Sequence, residues 1–505
     1  MKNRNLFSYF FYAFIFFSFL RKGEYIEAIV WCCKLNYKSS WVILALQRLG
    51  LYKSALLIEI NSFSTQQWMA RVISLAACGK HDDANDELLK RCRKFSLAYS
   101  YVQLAKSLAP YMPEEALNIL RSTEKRTPVT LHLALLLRNG QLKEAQTYLM
   151  QLEQHEYAKQ PELHLYASMA QPDAVPAQQL QRLNAFLHSC NVPPLALQDP
   201  AMPPGPCNVV VAEPVPVPVP PVQGPLVSVL VTTYRTGQRA VRAIESILQQ
   251  SYRNLEVVVV DDASGDNTPQ LLAQLAQQDA RVRVLALPAN VGTYVAKSIG
   301  LQAARGEFVT CHDSDDWSHP CKIARQVQPL LDEPELVASI SYLLRMQDDG
   351  QFYAWSVHPL MRINQSSLLF RRELVLAKAG AWDCVRTGAD SEFYARLRLV
   401  FGKKAVKRIR QPLSLVAHRP GSLMTDKKTG YSDKGISVER LDYVESWGRW
   451  HIECLACGKT PYLGLLATER AFAAPQGIEV PAAHIQQVQR AQQVCAIQNN
   501  RLGEA

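Results

Sequence analysis

Hydrophobic and polar positions divide the 505-residue chain into segments of different period. An apolar run from Leu6 to Leu20 is dominated by Phe and Tyr, with Lys2 and Arg4 before it and Arg21 and Lys22 after it. From about residue 21 to 200 the apolar positions recur at the spacing of one helix face, which predicts helix throughout. Gly23, Gly50, Gly79 and Gly140 each stand a few residues before a short, Ala-containing helix start. Glycine can end one helix in the left-handed conformation and alanine lets the next helix approach closely, so this region reads as an array of helix pairs. Prolines then crowd residues 203–206 and 214–221, where neither helix nor a central strand can form. From Leu226 the period alternates. Strands are predicted at Leu226–Thr233, Leu255–Asp261, Val282–Leu287 and Glu307–His312, and helices at Gln238–Gln250, Thr268–Gln278 and Thr293–Ala304. Near-continuous apolar strands are buried on both faces, which means an α/β sheet with crossover helices.

Composition narrows the class. With 48% hydrophobic residues the chain can build packed cores, and a mean hydropathy of −0.10 excludes a polytopic membrane protein. A net charge of +10 accommodates an anionic partner such as phospholipid or a nucleotide without calling for nucleic acid. Segment 6–20 is shorter than the roughly 20 residues of a membrane span, and no small-residue cleavage site follows it. Two readings stand: an interfacial segment with its basic flanks on lipid phosphates, or a first helix buried against the next. The spacing of the glycine-led starts in residues 1–200 resembles a degenerate tetratricopeptide-type arm, an architecture that presents grooves to partner proteins. Residues 201–225 read as a semi-rigid proline-rich linker. The twelve cysteines read as buried thiols in a reducing compartment. Cys454 and Cys457 form the one CxxC; with His451 three residues upstream they keep a zinc reading open, although no second knuckle follows.

The polar residues of the α/β region cluster at the predicted strand ends: Thr232, Thr233 and Tyr234; Asp261 and Asp262; His312, Asp313, Asp315 and Asp316. Open sheets bind ligands there. No Gly-x-Gly-x-x-Gly follows the first strand and no Walker loop occurs, so dinucleotide and P-loop chemistry lose their support. Aspartates at strand ends can hold Mg2+ or Mn2+ against a diphosphate. The plainer alternative is a solvated acidic loop at 313–316 and a helix-capping turn at 261–262.

The strings Val227–Tyr234, Ala243–Tyr252, Val258–Thr268, Asn290–Thr293 and Gly306–Pro320, in this order, resemble inverting GT-A glycosyltransferases of family 2. The resemblance covers about 200 residues, from 226 to about 425. It implies a GT-A mixed sheet flanked by helices over 226–440, preceded by the all-α arm and followed by a helical extension over 441–505. It implies a nucleotide-sugar site in which Tyr234 flanks the base, Asp262 accepts a hydrogen bond from the base edge, Asp261 orients the loop or contacts the same nucleoside, Asp313 sits near the ribose and Asp315 ligates Mg2+ or Mn2+, with Asp313 beside it. Thr232, Lys297 and His418 belong to the same pocket, and Asn290 and Thr293 stand at its margin. It makes Asp390 the general base, with Glu392 in reserve and Ala389 replacing the first acid of the family's usual Glu-Asp pair. Trp382 and Asp383 fall where acceptor-recognising residues lie in the family; Trp317 packs beneath the acidic loop or lines the acceptor groove. The expected activity is transfer from a nucleotide-sugar, weighted toward UDP-sugars, to a saccharide or lipid-linked acceptor in surface polysaccharide synthesis. The expected place is the cytoplasm, at the inner face of the plasma membrane. The rivals are a protein glycosyltransferase whose arm holds a polypeptide acceptor, and a non-catalytic scaffold.

Overall fold

The computed structural model describes residues 14–35, 39–59, 64–91, 98–122, 127–213, 224–432 and 435–491. The first part is all helical, running from Tyr25–Lys34, Val42–Leu49 and Thr65–Ala77 to Pro176–Ser189. Gly50 ends the helix Val42–Leu49 at φ +80°, where a side chain would cost roughly 1–2 kcal/mol. The other three glycines singled out by spacing, Gly23, Gly79 and Gly140, share that positive φ.

Within the aromatic run the described residues 14–22 are helical. Phe16 is fully buried, Phe17 packs edge-on against Trp41 at 5.3 Å and Phe19 against Trp31 at 6.3 Å. Phe14, by contrast, is 71% exposed, so only part of this aromatic face packs into a core; positions 6–13 lie outside the described residues. Among the described residues no helix is long and apolar enough to cross a membrane.

The strands up to residue 417 are, in chain order, β1 Leu195–Leu197, β2 Val209–Val211, β3 Val227–Thr233, β4 Leu255–Asp261, β5 Val282–Ala286, β6 Phe308–Asp313, β7 Trp317–Ser318, β8 Ala338–Met346, β9 Arg362–Ile363, β10 Leu369–Arg371 and β11 Val406–Ala417. β1 and β2 form an antiparallel pair. The stretch 201–225 read as a spacer therefore contains the strand β2; residues 214–223 lie outside the described set. β3 to β11 make one sheet in the order β5-β4-β3-β6-β10-β8-β11-β7, with β9 on β8. β5, β4, β3 and β6 are parallel, and β10 runs against both its neighbours. The sheet is mixed and flanked by helices. One face packs Val229, Val231 and Val257 on Ile244 and Val327; the other packs Leu230, Val309 and Ile340 on Leu301, Phe393 and Leu397.

The helical arm is docked on the sheet domain. A single core runs from Trp68, Leu135 and Phe186 in the arm to Trp317, Leu344 and Leu415 on β7, β8 and β11. Polar ties cross the same boundary: Arg138 donates to the Ala354 carbonyl at 2.6 Å, and the Glu162 carboxylate accepts the Met361 N–H at 2.9 Å. The helix Val438–Ala456 closes the assembly. Its Glu445 carboxylate accepts the Ser54 hydroxyl at 2.6 Å, and Gly448 sits so near Leu51 that a Cβ there would lie 2.5 Å from it. His451 on this helix is fully buried against Glu392, whereas Cys457 is exposed, so the three residues of the zinc reading do not converge on one point.

Candidate active site

Strand order places the site. The sequence-order neighbours of β3 lie on one side and β6 on the other, so the crossovers diverge and open a crevice at the carboxyl ends of β3 and β6. Register brings the polar residues level: Thr232 pairs with Asp313 and Thr233 with Asp261. Two non-glycine residues just past these strands, Arg235 and Ala263, adopt positive φ of 52° and 60°. Such conformations persist only where surrounding contacts enforce them, and they gather at ligand sites. Here the Arg235 N–H donates to Ser264 Oγ at 2.8 Å.

The two aspartates after β4 differ. Asp262 is buried and saturated: Oδ1 accepts the Val291 N–H at 2.7 Å, and Oδ2 accepts the Gly292 N–H at 2.8 Å and the Asn290 amide at 3.0 Å. Burial pushes its carboxyl up to about 6 against these donors. Asp262 thus clamps the 290–292 turn. Asp261 accepts the Ser264 N–H on Oδ2 at 3.1 Å, while its buried Oδ1 has no partner among the described residues. A buried acceptor left open at a strand end is a site for a ligand donor. Tyr234, 43% exposed, stands beside them with the Arg235 guanidinium 5.1 Å from its ring centre. Thr232 Oγ1 bonds Thr293 Oγ1 at 2.7 Å.

The acidic loop after β6 is charge-compensated from within the chain. Lys297, buried on the helix Thr293–Ala303, donates to Asp313 Oδ1 at 3.0 Å, and Ser366 donates to Oδ2 at 2.8 Å. Burial alone would raise Asp313, but Lys297 and the Ser366 hydroxyl hold it at about 2. Lys297 therefore serves Asp313 directly. Asp315 Oδ2 accepts Arg419 Nε at 2.7 Å, and its Oδ1 accepts no hydrogen bond among the described residues. His418 instead stacks on Tyr353, with ring centres 3.7 Å apart, so the basic group this loop sends to the acids is Arg419. Asp316 is buried, and burial with Asp315 and Asp313 nearby raises it well above the carboxylate range. Mg2+ and Mn2+ are commonly held by one or two carboxylates plus substrate phosphate oxygens. Asp315, with an open oxygen and Asp313 alongside, fits that demand. Among the described residues no group of three or more His, Cys, Asp or Glu side chains would hold a metal unaided.

Asp390 lies in the first turn of the helix Ala389–Val400 and is half-buried. The cap position belongs to Gly388 at φ +90°, so Asp390 is not the cap residue. Its Oδ1 accepts the Ser391 N–H at 2.8 Å; burial, with Asp390 and Asp313 nearby, raises the Tyr294 hydroxyl well above its ordinary value. A carboxylate in a first turn also faces the positive helix end. Glu392 is no reserve base. It is fully buried and bonded to Arg396 at 2.8 Å and to His451 at 2.9 Å. Trp382 packs on Phe393, 5.0 Å between ring centres, and Asp383 is held by Arg470 at 2.6 Å and Tyr443 at 2.9 Å. Both side chains are buried. Trp317 is buried in the core shared with the arm. Sequence reasoning missed Tyr294, Ser366 and the role of Arg419. Tyr294 carried a usable signal, three residues before Lys297 on one helix face; Ser366 is brought in by chain crossing alone.

Residues 228–385 match the family model Glycosyl transferase family 2. Among curated proteins, the chain is 33% identical over 157 residues to glycosyltransferase GlyG of Streptococcus pneumoniae, covering 31% of this chain and 51% of that one. It is 36% identical over 157 residues to the succinoglycan biosynthesis protein ExoO of Rhizobium meliloti, covering 30% and 44%. The chain thus spans about half the length of these relatives. Among solved structures it is similar to S. aureus TarS in complex with UDP, at 19% identity and a TM-score of 0.32, covering 38% of this chain and 61% of that one. It is also similar to a mannosyltransferase from Pyrobaculum calidifontis in complex with GDP-Man and Mn2+, at 21% identity and a TM-score of 0.31, covering 52% and 70%.

Proposed function

We propose, from the match of residues 228–385 to the Glycosyl transferase family 2 model, that the chain transfers a sugar from a nucleotide-sugar to a hydroxyl of a saccharide or lipid-linked acceptor, with inversion, in the synthesis of a surface polysaccharide. The observation that carries this reading is the convergence, at the ends of β3, β4 and β6, of an open buried acceptor on Asp261, an exposed aromatic face on Tyr234 and the acids Asp313 and Asp315. A nucleoside diphosphate needs these three things: a base-edge partner, a stacking surface and a place for its charge. The family resemblance weights the base toward uridine.

In this mechanism Tyr234 and Asp261 hold the nucleoside while Asp262 fixes the 290–292 turn beneath it. Asp313 and Asp315 would hold Mg2+ or Mn2+, which when bound matches the charge of the departing diphosphate. Lys297 keeps Asp313 ionised and fixed in place. Arg419, on the loop after β11, brings a second positive charge beside Asp315. Asp390, oriented by the Ser391 N–H and standing near the Tyr294 hydroxyl, takes the proton from the acceptor hydroxyl as it attacks. A base on one face and a leaving diphosphate on the other give inversion.

The arm shares a hydrophobic core with the sheet domain. A screen of UDP-, GDP- and CMP-sugars with Mn2+ or Mg2+, read as release of free nucleotide in the presence of saccharide acceptors, tests the reading. Release from one donor class, stimulated by acceptor, is expected. Absence of release from every donor with either ion contradicts it.

A further inference from the structure

The helix Val438–Ala456 lies outside the matched region, yet one of its faces grips the turn that presents Asp390. Three of its side chains reach that segment. Arg440 Nη2 donates to Thr387 Oγ1 at 2.5 Å, the Tyr443 hydroxyl donates to Asp383 Oδ2 at 2.9 Å, and His451 Nε2 lies 2.9 Å from Glu392 Oε1. The Tyr443 ring sits 3.2 Å from where a Cβ on Gly388 would stand, so the left-handed turn at 388 closes against this helix only as glycine.

Arg440 makes a second set of contacts. It is 6% exposed; its Nε donates to the Thr429 carbonyl at 2.9 Å, and its guanidinium covers the Tyr431 ring at 4.6 Å. Tyr431 stacks in turn on Trp355, with 4.9 Å between ring centres. Thr429 and Tyr431 end the loop that begins with Arg419, the residue paired with Asp315. One buried guanidinium therefore joins the turn carrying the base to the loop facing the donor acids. Its two sets of bonds diverge from one rigid plane, a geometry that a lysine ammonium does not reproduce.

We propose that Arg440 is a positioning residue that sets Asp390 against the donor side of the pocket by holding the 387–390 turn and the 419–431 loop in fixed relation. This rests on the reading of the domain as a glycosyltransferase. Arg440 touches no substrate; its effect is on geometry, where a misplacement of about 1 Å costs on the order of 100-fold in rate.

The test uses the full chain as wild type, Arg440→Met and Arg440→Lys. Arg440→Met is expected to keep UDP affinity within about twofold and to lower the transfer rate about 100-fold, with Arg440→Lys recovering part of that loss. Hydrogen exchange is expected to quicken together at amides 384–392 and 424–432 in Arg440→Met, with strands β3 to β6 unchanged. The exchange measurement needs no substrate, so it tests the coupling even if no transfer is found in wild type. Unchanged exchange at either segment overturns the proposal. So does a rate loss matched by an equal loss of UDP affinity, or exchange rising across the whole sheet; both describe a general structural role.

Discussion

Asp390→Asn is expected to abolish transfer while leaving the nucleotide site intact. The substitution keeps the volume of the side chain and its hydrogen bond from the Ser391 N–H, but an amide cannot take a proton. General-base catalysis contributes roughly 10²–10⁴-fold, so the transfer rate should fall about a thousandfold. Affinity for the nucleoside diphosphate should stay within about twofold, because Tyr234, Asp261 and Asp315 are untouched. Thermal stability should hold as well, since Asp390 is half-buried and Gly388, not Asp390, caps the helix. Rate, affinity and melting midpoint measured on one preparation check all three. Retained transfer would place the base elsewhere.

Glu392→Gln, two positions along the same helix, is expected to do the opposite. Glu392 and Arg396 are both fully buried and 2.8 Å apart, and Arg396 also donates to the Ala381 carbonyl at 2.6 Å. Removing one charge leaves the other uncompensated in the core, a loss of about 3–5 kcal/mol. Equilibrium denaturation should show that loss, and a double variant replacing both residues with apolar ones should lose less than the single. The pH dependence follows from the same pair. Burial alone would raise Glu392, but Arg396 and His451 hold it at about 2, below its unfolded value. Its contribution is therefore present above roughly pH 4.3 and lost as pH falls toward 2, and Asp313 acts in the same sense. Asp262, pushed up to about 6, acts in the opposite sense: its contribution is present below roughly pH 3.9 and lost as pH rises through 6. Denaturation midpoints between pH 2 and 5 should fall steeply in wild type and less steeply in Glu392→Gln.

Much of the sheet domain was legible because its signals are local. β3 and β4 are runs of β-branched residues, and the helix Thr268–Gln278 has the predicted bounds. The glycines that end helices in the arm were legible for the same reason, since a positive φ has few other occupants. The site was legible only as far as strand ends reveal it. The strand-end positions of Asp261, Asp313 and Asp315 follow from chain order, whereas the partners that divide their labour come from distant segments: Ser366, Arg419 and the 290–292 turn. Glu392 illustrates the limit. Its spacing of two from Asp390 turns it to another side of the helix, but only the structure shows what it meets there: Arg396 one turn later and His451 from a helix some 60 residues on. The docking of the arm was equally invisible, because a proline-rich stretch in sequence says nothing of which faces meet.

Calorimetric titration of UDP tests most directly whether β3, β4 and β6 end in a nucleoside diphosphate site. Wild type and Asp315→Ala would be titrated with and without Mn2+, with GDP and CMP as comparators. UDP binding to wild type that strengthens with Mn2+, and is lost in Asp315→Ala, is the predicted result. Absence of nucleotide binding to wild type under any of these conditions, or Mn2+-dependent binding that survives in Asp315→Ala, would contradict the account.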